Sequence, residues 1–168
     1  ADGDDMYLLL NSAAGTGGGQ FVVDDGGALY FIPAGDFDAL QEGDSLETDY
    51  IYTVYDDFGG TSQGMLTLTV HGVNDNPVGW ADQYEAYAGT ITSLGDPLAN
   101  DTDVEGDSLS IDRSGVWVGS HGGVFSVDDS GSVIFDPAGA FDDLAEGEFR
   151  ETSFVYSLHD DHGGVAYA

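Results

Sequence analysis

The chain has no cysteine, no lysine and only two arginines, Arg113 and Arg150, in 168 residues. Without cysteine, an extracellular fold of this size needs some stabiliser other than disulfides, and bound metal ions are the obvious substitute. Without a basic patch, nothing can displace the counterions of a phosphate backbone, which excludes nucleic-acid binding. Attraction to an anionic membrane is disfavoured for the same reason. No apolar run approaches the ~18 residues of a membrane span, and no signal-peptide pattern opens the chain. There is no initiating methionine either, so the sequence reads as a piece of a longer one.

What is present is acid. Asp and Glu number 32, and the net charge is -30. Self-repulsion of this size opposes a compact state unless cations neutralise it. A hydrophobic content of 41%, with nine Phe and nine Tyr, nevertheless supplies enough apolar side chain for packed cores. Wholesale disorder is therefore not expected.

The strongest pattern is an internal repeat. Residues 21–60 return as 125–164, shifted by 104 positions without a gap, with 21 of 40 pairs identical. Pro33-Ala34-Gly35 returns as Pro137-Ala138-Gly139, and Glu47-Thr48 as Glu151-Thr152. Asp56-Asp57 and Gly59-Gly60 return as Asp160-Asp161 and Gly163-Gly164. A period this long marks tandem whole domains rather than a solenoid of small units.

Within each copy, short runs alternate apolar and polar residues between glycines. Residues 21–23 and 28–32 flank a turn at 24–27, and residues 124–127 and 132–135 flank one at 128–131; both read as hairpins. Residues 50–55 and 64–70 read as further strands. Only 37–40 and 141–146 could form a helical turn. The expected class is all-β, with two tandem Greek-key sandwiches of immunoglobulin-like size. Pro77 stiffens the junction between copies, placing the domains at 1–76 and 77–168. Aligning the edges predicts that both are truncated at one end. The first would lack its N-terminal strand and acidic loop, and the second its C-terminal strand.

The run Asn100-Asp101-Thr102-Asp103-Val104-Glu105-Gly106-Asp107 places five potential oxygen ligands around a glycine. Alternating carboxylates on a turning loop can aim several oxygens at one point. Ca²⁺, with six to eight oxygen ligands and tolerant geometry, suits such a loop better than Mg²⁺ or Zn²⁺. An acidic solvated turn with Asx-type self-bonds is the plainer alternative. The loop is not an EF-hand, having no flanking helices and no glutamate at the twelfth position.

The stretch 99–111 resembles the calcium loop of cadherin-like repeats in large secreted bacterial adhesins. So do residues 154–160 with their Gly-Gly turn, and so do residues 66–77. Such repeats grade into the VCBS type of proteins exported by type I secretion (RTX-like), and into the Rap-type adhesins of rhizobia. The resemblance implies a calcium site at the domain junction. Asp101 and Asp103 would be its first acidic pair, Asp107 would close the loop, and Asp160 would approach from a strand end. Asn74, Asp75 and Asn76 would be linker ligands, and Glu47 a basal glutamate of the preceding domain. Gly72 stands where cadherin linkers carry an aspartate, which implies fewer ions. The truncation also leaves Asp56 without the loop that would complete a site in the first copy.

Other signals point less far. His159 and His162 have a spacing zinc could use, but the first copy has Tyr55 and Phe58 there. Residues 15–19 lack the lysine of a phosphate loop and read as flexible. Trp117 could stack on a sugar or pack, and Trp80 is expected to pack. Paired carboxylates suggest a glycosidase only until the repeat and the turns account for them, so no enzyme is expected here. The resemblance implies a secreted calcium-binding adhesion module, on the cell surface or in the biofilm matrix, flanked by neighbouring repeats. It would bind a polysaccharide or other cell-surface ligand. Calcium-rigidified spacer and accessory module of a polysaccharide-degrading enzyme are the alternatives. Dissociation constants on the order of 10⁻⁴–10⁻³ M are usual for extracellular calcium modules, so such a chain would stay loose in the cytosol and fold on export.

Overall fold

The computed structural model describes residues 5–8 and 12–168, and every regular element in them is a strand. Two compact units form, the first ending at Asn74 and the second spanning Asp75–Ala168.

In the first unit, β1 (Met6–Leu8), β5 (Ser45–Asp56) and β6 (Thr61–His71) form one antiparallel sheet, in the order β1-β5-β6. A second has the order β2-β3-β4, from β2 (Ala13–Ala14), β3 (Gln20–Val23) and β4 (Leu29–Ile32). The sheets meet through aromatic rings. Phe21 of β3 stacks on Tyr50 of β5 with centroids 5.1 Å apart, and both are about fully buried.

In the second unit, one sheet runs β7-β11-β10-β9, from β7 (Thr92–Gly95), β9 (Val116–Val118), β10 (Val124–Val127) and β11 (Val133–Asp136). The other runs β13-β12-β8, from β8 (Ser110–Ile111), β12 (Ser157–His159) and β13 (Val165–Tyr167). Between them Phe125, Val133, Phe135, Tyr156 and Leu158 make one buried cluster. Alternation along β10 and β11 puts Phe125, Val127, Val133 and Phe135 on the inner face. The all-β sandwich expected from the periodicity is what forms.

The repeated residues have identifiable work. Ala34 and Ala138 adopt left-handed φ of 56° and 48°, next to Gly35 and Gly139, also left-handed. The turns close through Asp36 N to Pro33 O at 3.2 Å and Ala140 N to Pro137 O at 2.9 Å. In Glu47-Thr48 and Glu151-Thr152 the threonine is the structural member. Thr48, fully buried, donates from Oγ1 to Gly18 O at 2.8 Å and accepts from Gly17 N at 3.2 Å. Thr152 donates to Gly122 O at 2.8 Å and accepts from His121 N at 3.3 Å. Gly15 and Gly119 lie so close to these hydroxyls that a Cβ at either position would collide with them.

Residues 15–19, expected to be flexible, are pinned. Besides the bonds to Thr48, Gly19 N donates to Asp36 Oδ2 at 2.7 Å, and Thr16 N to Asp49 O at 3.1 Å. Glycine serves close approach here rather than mobility. Replacing Thr48 or Thr152 by valine strips a loop carbonyl and amide of their partner. Each substitution is expected to cost about 1–2 kcal/mol in urea unfolding, more for the fully buried Thr48. Equal stability of Thr48→Val and wild type would overturn this role.

Candidate metal centre

Three segments of the second unit converge. Residues 101–107 form a loop wound around one carboxylate. Asp103 Oδ1 accepts from Glu105 N at 3.1 Å and Asp107 N at 3.2 Å, and Gly106 turns the chain at a φ of 82°. The strand-end loop is built the same way. Asp160, 6% exposed, accepts on Oδ1 from His162 N and Gly164 N, both at 2.8 Å. The third segment, residues 75–78, ties the two together. Asp75 N donates to Glu105 Oε1 at 3.0 Å, and Val165 N donates to Asn76 Oδ1 at 3.1 Å. Val78 and Thr102 exchange backbone bonds of 2.7 and 3.1 Å.

In the 101–107 loop, Asp103 and Glu105 each use one carboxylate oxygen to hold backbone. Among the described residues, Asp103 Oδ2 and Glu105 Oε2 are buried and have no hydrogen-bond partner. Carboxylate oxygens of Asp103, Glu105 and Asp107 all lie within 4.8 Å of one another, and the Asp107 side chain is only 5% exposed. Buried anionic oxygens without donors cost free energy, and three carboxylates at this spacing repel one another. A hard cation answers both costs, and an all-oxygen donor set selects for one. The residues present therefore fit a metal ion of that type.

Next to this cluster, His162 Nδ1 lies 2.9 Å from Asp107 Oδ2 and 3.5 Å from Asp161 Oδ1. The hydrogen bond to Asp107 is the main cause of a His162 pKa above the ordinary imidazole value. His159 instead has its Nε2 3.2 Å from Ser157 Oγ. The two histidines thus have different partners.

Asp101 faces another neighbourhood. Its Oδ1 accepts from Trp80 N at 2.7 Å, and its Oδ2 lies 3.4 Å from the Tyr156 hydroxyl. That hydroxyl is also 3.0 Å from Pro97 O and 3.1 Å from Asp82 Oδ2. Burial first, then the charges of Asp101 and Asp82, push the tyrosine pKa far above its ordinary value. Burial likewise raises the Asp82 carboxyl. Tyr156 thus remains neutral, with Pro97 O, Asp82 and Asp101 all within reach of its single hydroxyl proton.

The structure distributes the expected ligands unevenly. Asp75, Asn76, Asp101, Asp103, Asp107 and Asp160 all lie on the three converging segments, but the Asp101 carboxylate faces Trp80 N and the Tyr156 hydroxyl. Glu47 and Asn74 belong to the first unit, where Glu47 is exposed on β5 opposite Thr69. The expected boundary puts Asp75 and Asn76 in the first domain, but their bonds tie them to the second unit. Glu105 is among the five potential oxygen ligands counted in that run, but the expected ligand set omits it although it includes three neighbours from the same loop. Trp80, expected to pack, is 58% exposed, and Asp101 holds its backbone amide. Trp117 packs on Phe154 with centroids 5.4 Å apart.

Asp56 in the first unit repeats the strand-end device, accepting from Phe58 N at 2.9 Å and Gly60 N at 2.7 Å. No second acidic loop joins it among the described residues. No curated protein matches the chain in sequence. The family model of the bacterial cadherin-like domain matches residues 74–168, the whole segment that carries the converging loops. The chain belongs to the bacterial cadherin-like domain family.

Proposed function

We propose that the chain is a calcium-binding module of a secreted bacterial adhesin, acting in attachment to cells, surfaces or biofilm matrix. The observation that carries this reading is the pair of donorless buried oxygens, Asp103 Oδ2 and Glu105 Oε2, beside Asp107. Asp103, Glu105 and Asp107 would hold the ion, with Asp160, Asp75 and Asn76 fixing the loops around it. Calcium there would offset the local repulsion and stiffen the 101–107 loop, to which residues 75–78 are tied by the Asp75–Glu105 and Val78–Thr102 hydrogen bonds.

An attachment function also needs a ligand. With a net charge of -30, the chain repels acidic polysaccharides. Calcium bridging between carboxylates of the two is the route by which such a polysaccharide would bind. Titration with an acidic exopolysaccharide, in calcium and in EDTA, tests this part. Saturable binding in calcium alone is the expected result. Calcium uptake without any polysaccharide binding would leave a rigidified spacer instead.

A further inference from the structure

The repeat gives the two strand-end loops the same backbone bonds and different side chains. In the second unit Asp160 Oδ1 accepts from His162 N and Gly164 N, both at 2.8 Å. In the first, Asp56 Oδ1 accepts from Phe58 N at 2.9 Å and Gly60 N at 2.7 Å. The loop closes as well around a phenylalanine as around a histidine, because only the amide of this residue takes part. The turn therefore does not account for the His162 imidazole.

That imidazole stands between two carboxylates. Its Nδ1 is 2.9 Å from Asp107 Oδ2 and 3.5 Å from Asp161 Oδ1. Donor atoms of the three residues all lie within 4.8 Å of one another, the one such cluster with a histidine among the described residues. In a tetrahedral site, donors about 2.0–2.2 Å from one ion stand about 3.3–3.6 Å apart. The cluster is near that spacing already, with only the Asp107 contact to open slightly. Asp107 is almost fully buried, whereas Asp161 and the His162 ring are open to solvent. An ion therefore has an entry path, and water can complete its coordination. His159 and His121 instead hydrogen-bond the hydroxyls of Ser157 and Ser120.

We propose that Asp107, Asp161 and His162 form a site for a divalent transition metal, distinct from the cluster assigned to calcium and joined to it through Asp107. Donor chemistry separates the two sites. Asp103 and Glu105 with Asp107 offer oxygen alone, which suits a hard cation. An imidazole nitrogen suits zinc and its neighbours and is not among the ligands of calcium. Asp107 belongs to both clusters, and a carboxylate can give one oxygen to each of two ions. A metal here offsets the repulsion between Asp107 and Asp161 and ties the strand-end loop to the acidic loop. The site shares a residue with the calcium reading but does not need calcium to be bound.

The test uses the whole chain in about 10 mM CaCl₂, with zinc chloride as the probe, at about pH 8 because a ligating imidazole must be neutral. One zinc per chain is expected in calorimetric titration. In NMR spectra the ring-nitrogen signals of His162 should shift, while those of His71, His121 and His159 stay. His162→Gln keeps a donor for Asp107 but no ring nitrogen, and should bind zinc at least about tenfold more weakly. His162→Phe, which copies the loop of the first unit, should do the same, and Asp161→Asn should also weaken binding. Each variant is checked for retained amide signal dispersion. The proposal is overturned if the His162 signals do not move with zinc, or if His162→Gln binds zinc as tightly as wild type. It is also overturned if zinc does no more than displace calcium, since the ion would then sit on Asp103 and Glu105. Calcium uptake measured without zinc keeps the two readings apart. A chain that binds calcium but leaves His162 unmoved by zinc sinks this proposal alone, and zinc reported by His162 in a chain that takes up no calcium supports it.

Discussion

Moving the protein from about 10 mM CaCl₂ into EDTA is expected to lower the melting temperature of the second unit by roughly 10–20 °C. A ligand at a hundred times its dissociation constant stabilises by about 2.7 kcal/mol. A domain of this size shifts by about 4–8 °C per kcal/mol. Ionic strength must be matched with NaCl, because a chain of net charge -30 gains from screening by any salt. Asp103→Asn separates the two effects. The amide oxygen can still accept from Glu105 N and Asp107 N, while the donorless anionic oxygen is gone. The variant should melt no lower than wild type in EDTA, because repulsion is relieved, and should lose most of the calcium shift. Coincident wild-type melts in the two buffers would sink the calcium reading. A variant that kept the full shift would move the ion away from Asp103.

Much of this is legible in the sequence, for reasons that can be named. Period-2 alternation in residues 124–127 and 50–55 is imposed by burial on one face, so it survives reading without a structure. The repeat marks Pro33-Ala34-Gly35 and Thr48 as positions with a job. It does not say which job, because Thr48 acts on glycines 30 residues away. Strand lengths depart from expectation where pairing, not pattern, sets them. β5 extends back to Ser45 because β6 offers it partners as far as His71. β12 is only three residues long because β13 and β8 offer three and two. The oxygen ligands are visible as a composition, and their convergence is not. Glu105 gains its role from Asp75, a contact no local window contains.

Gly164→Ala is expected to damage the candidate metal centre, and its cause is local. A Cβ at this buried position would collide with Asp160 Oδ2 and sit 3.0 Å from Asp75 O and 3.1 Å from Asn76 Cα. Two of those three neighbours are backbone and cannot rotate away, so Asp160 and the 75–76 segment must both shift. Overpacking of this kind costs about 1–3 kcal/mol. If the ion depends on the loops these residues fix, calcium affinity should fall at least tenfold as well, about 1.4 kcal/mol. Two neighbouring substitutions isolate the mechanism. At Gly163 a Cβ meets nothing within 4 Å, but φ is 104°, so Gly163→Ala adds strain without pushing Asp160. At Gly60, the counterpart in the first unit, a Cβ meets only the Asp56 side chain, which can yield. All three variants should melt lower than wild type, yet only Gly164→Ala should lose calcium in calorimetric titration. Unchanged calcium affinity in Gly164→Ala would mean that neither Asp160 nor residues 75–76 position the ion. An equal loss in Gly163→Ala would mean that general loosening of the loop, not displacement of Asp160, controls binding.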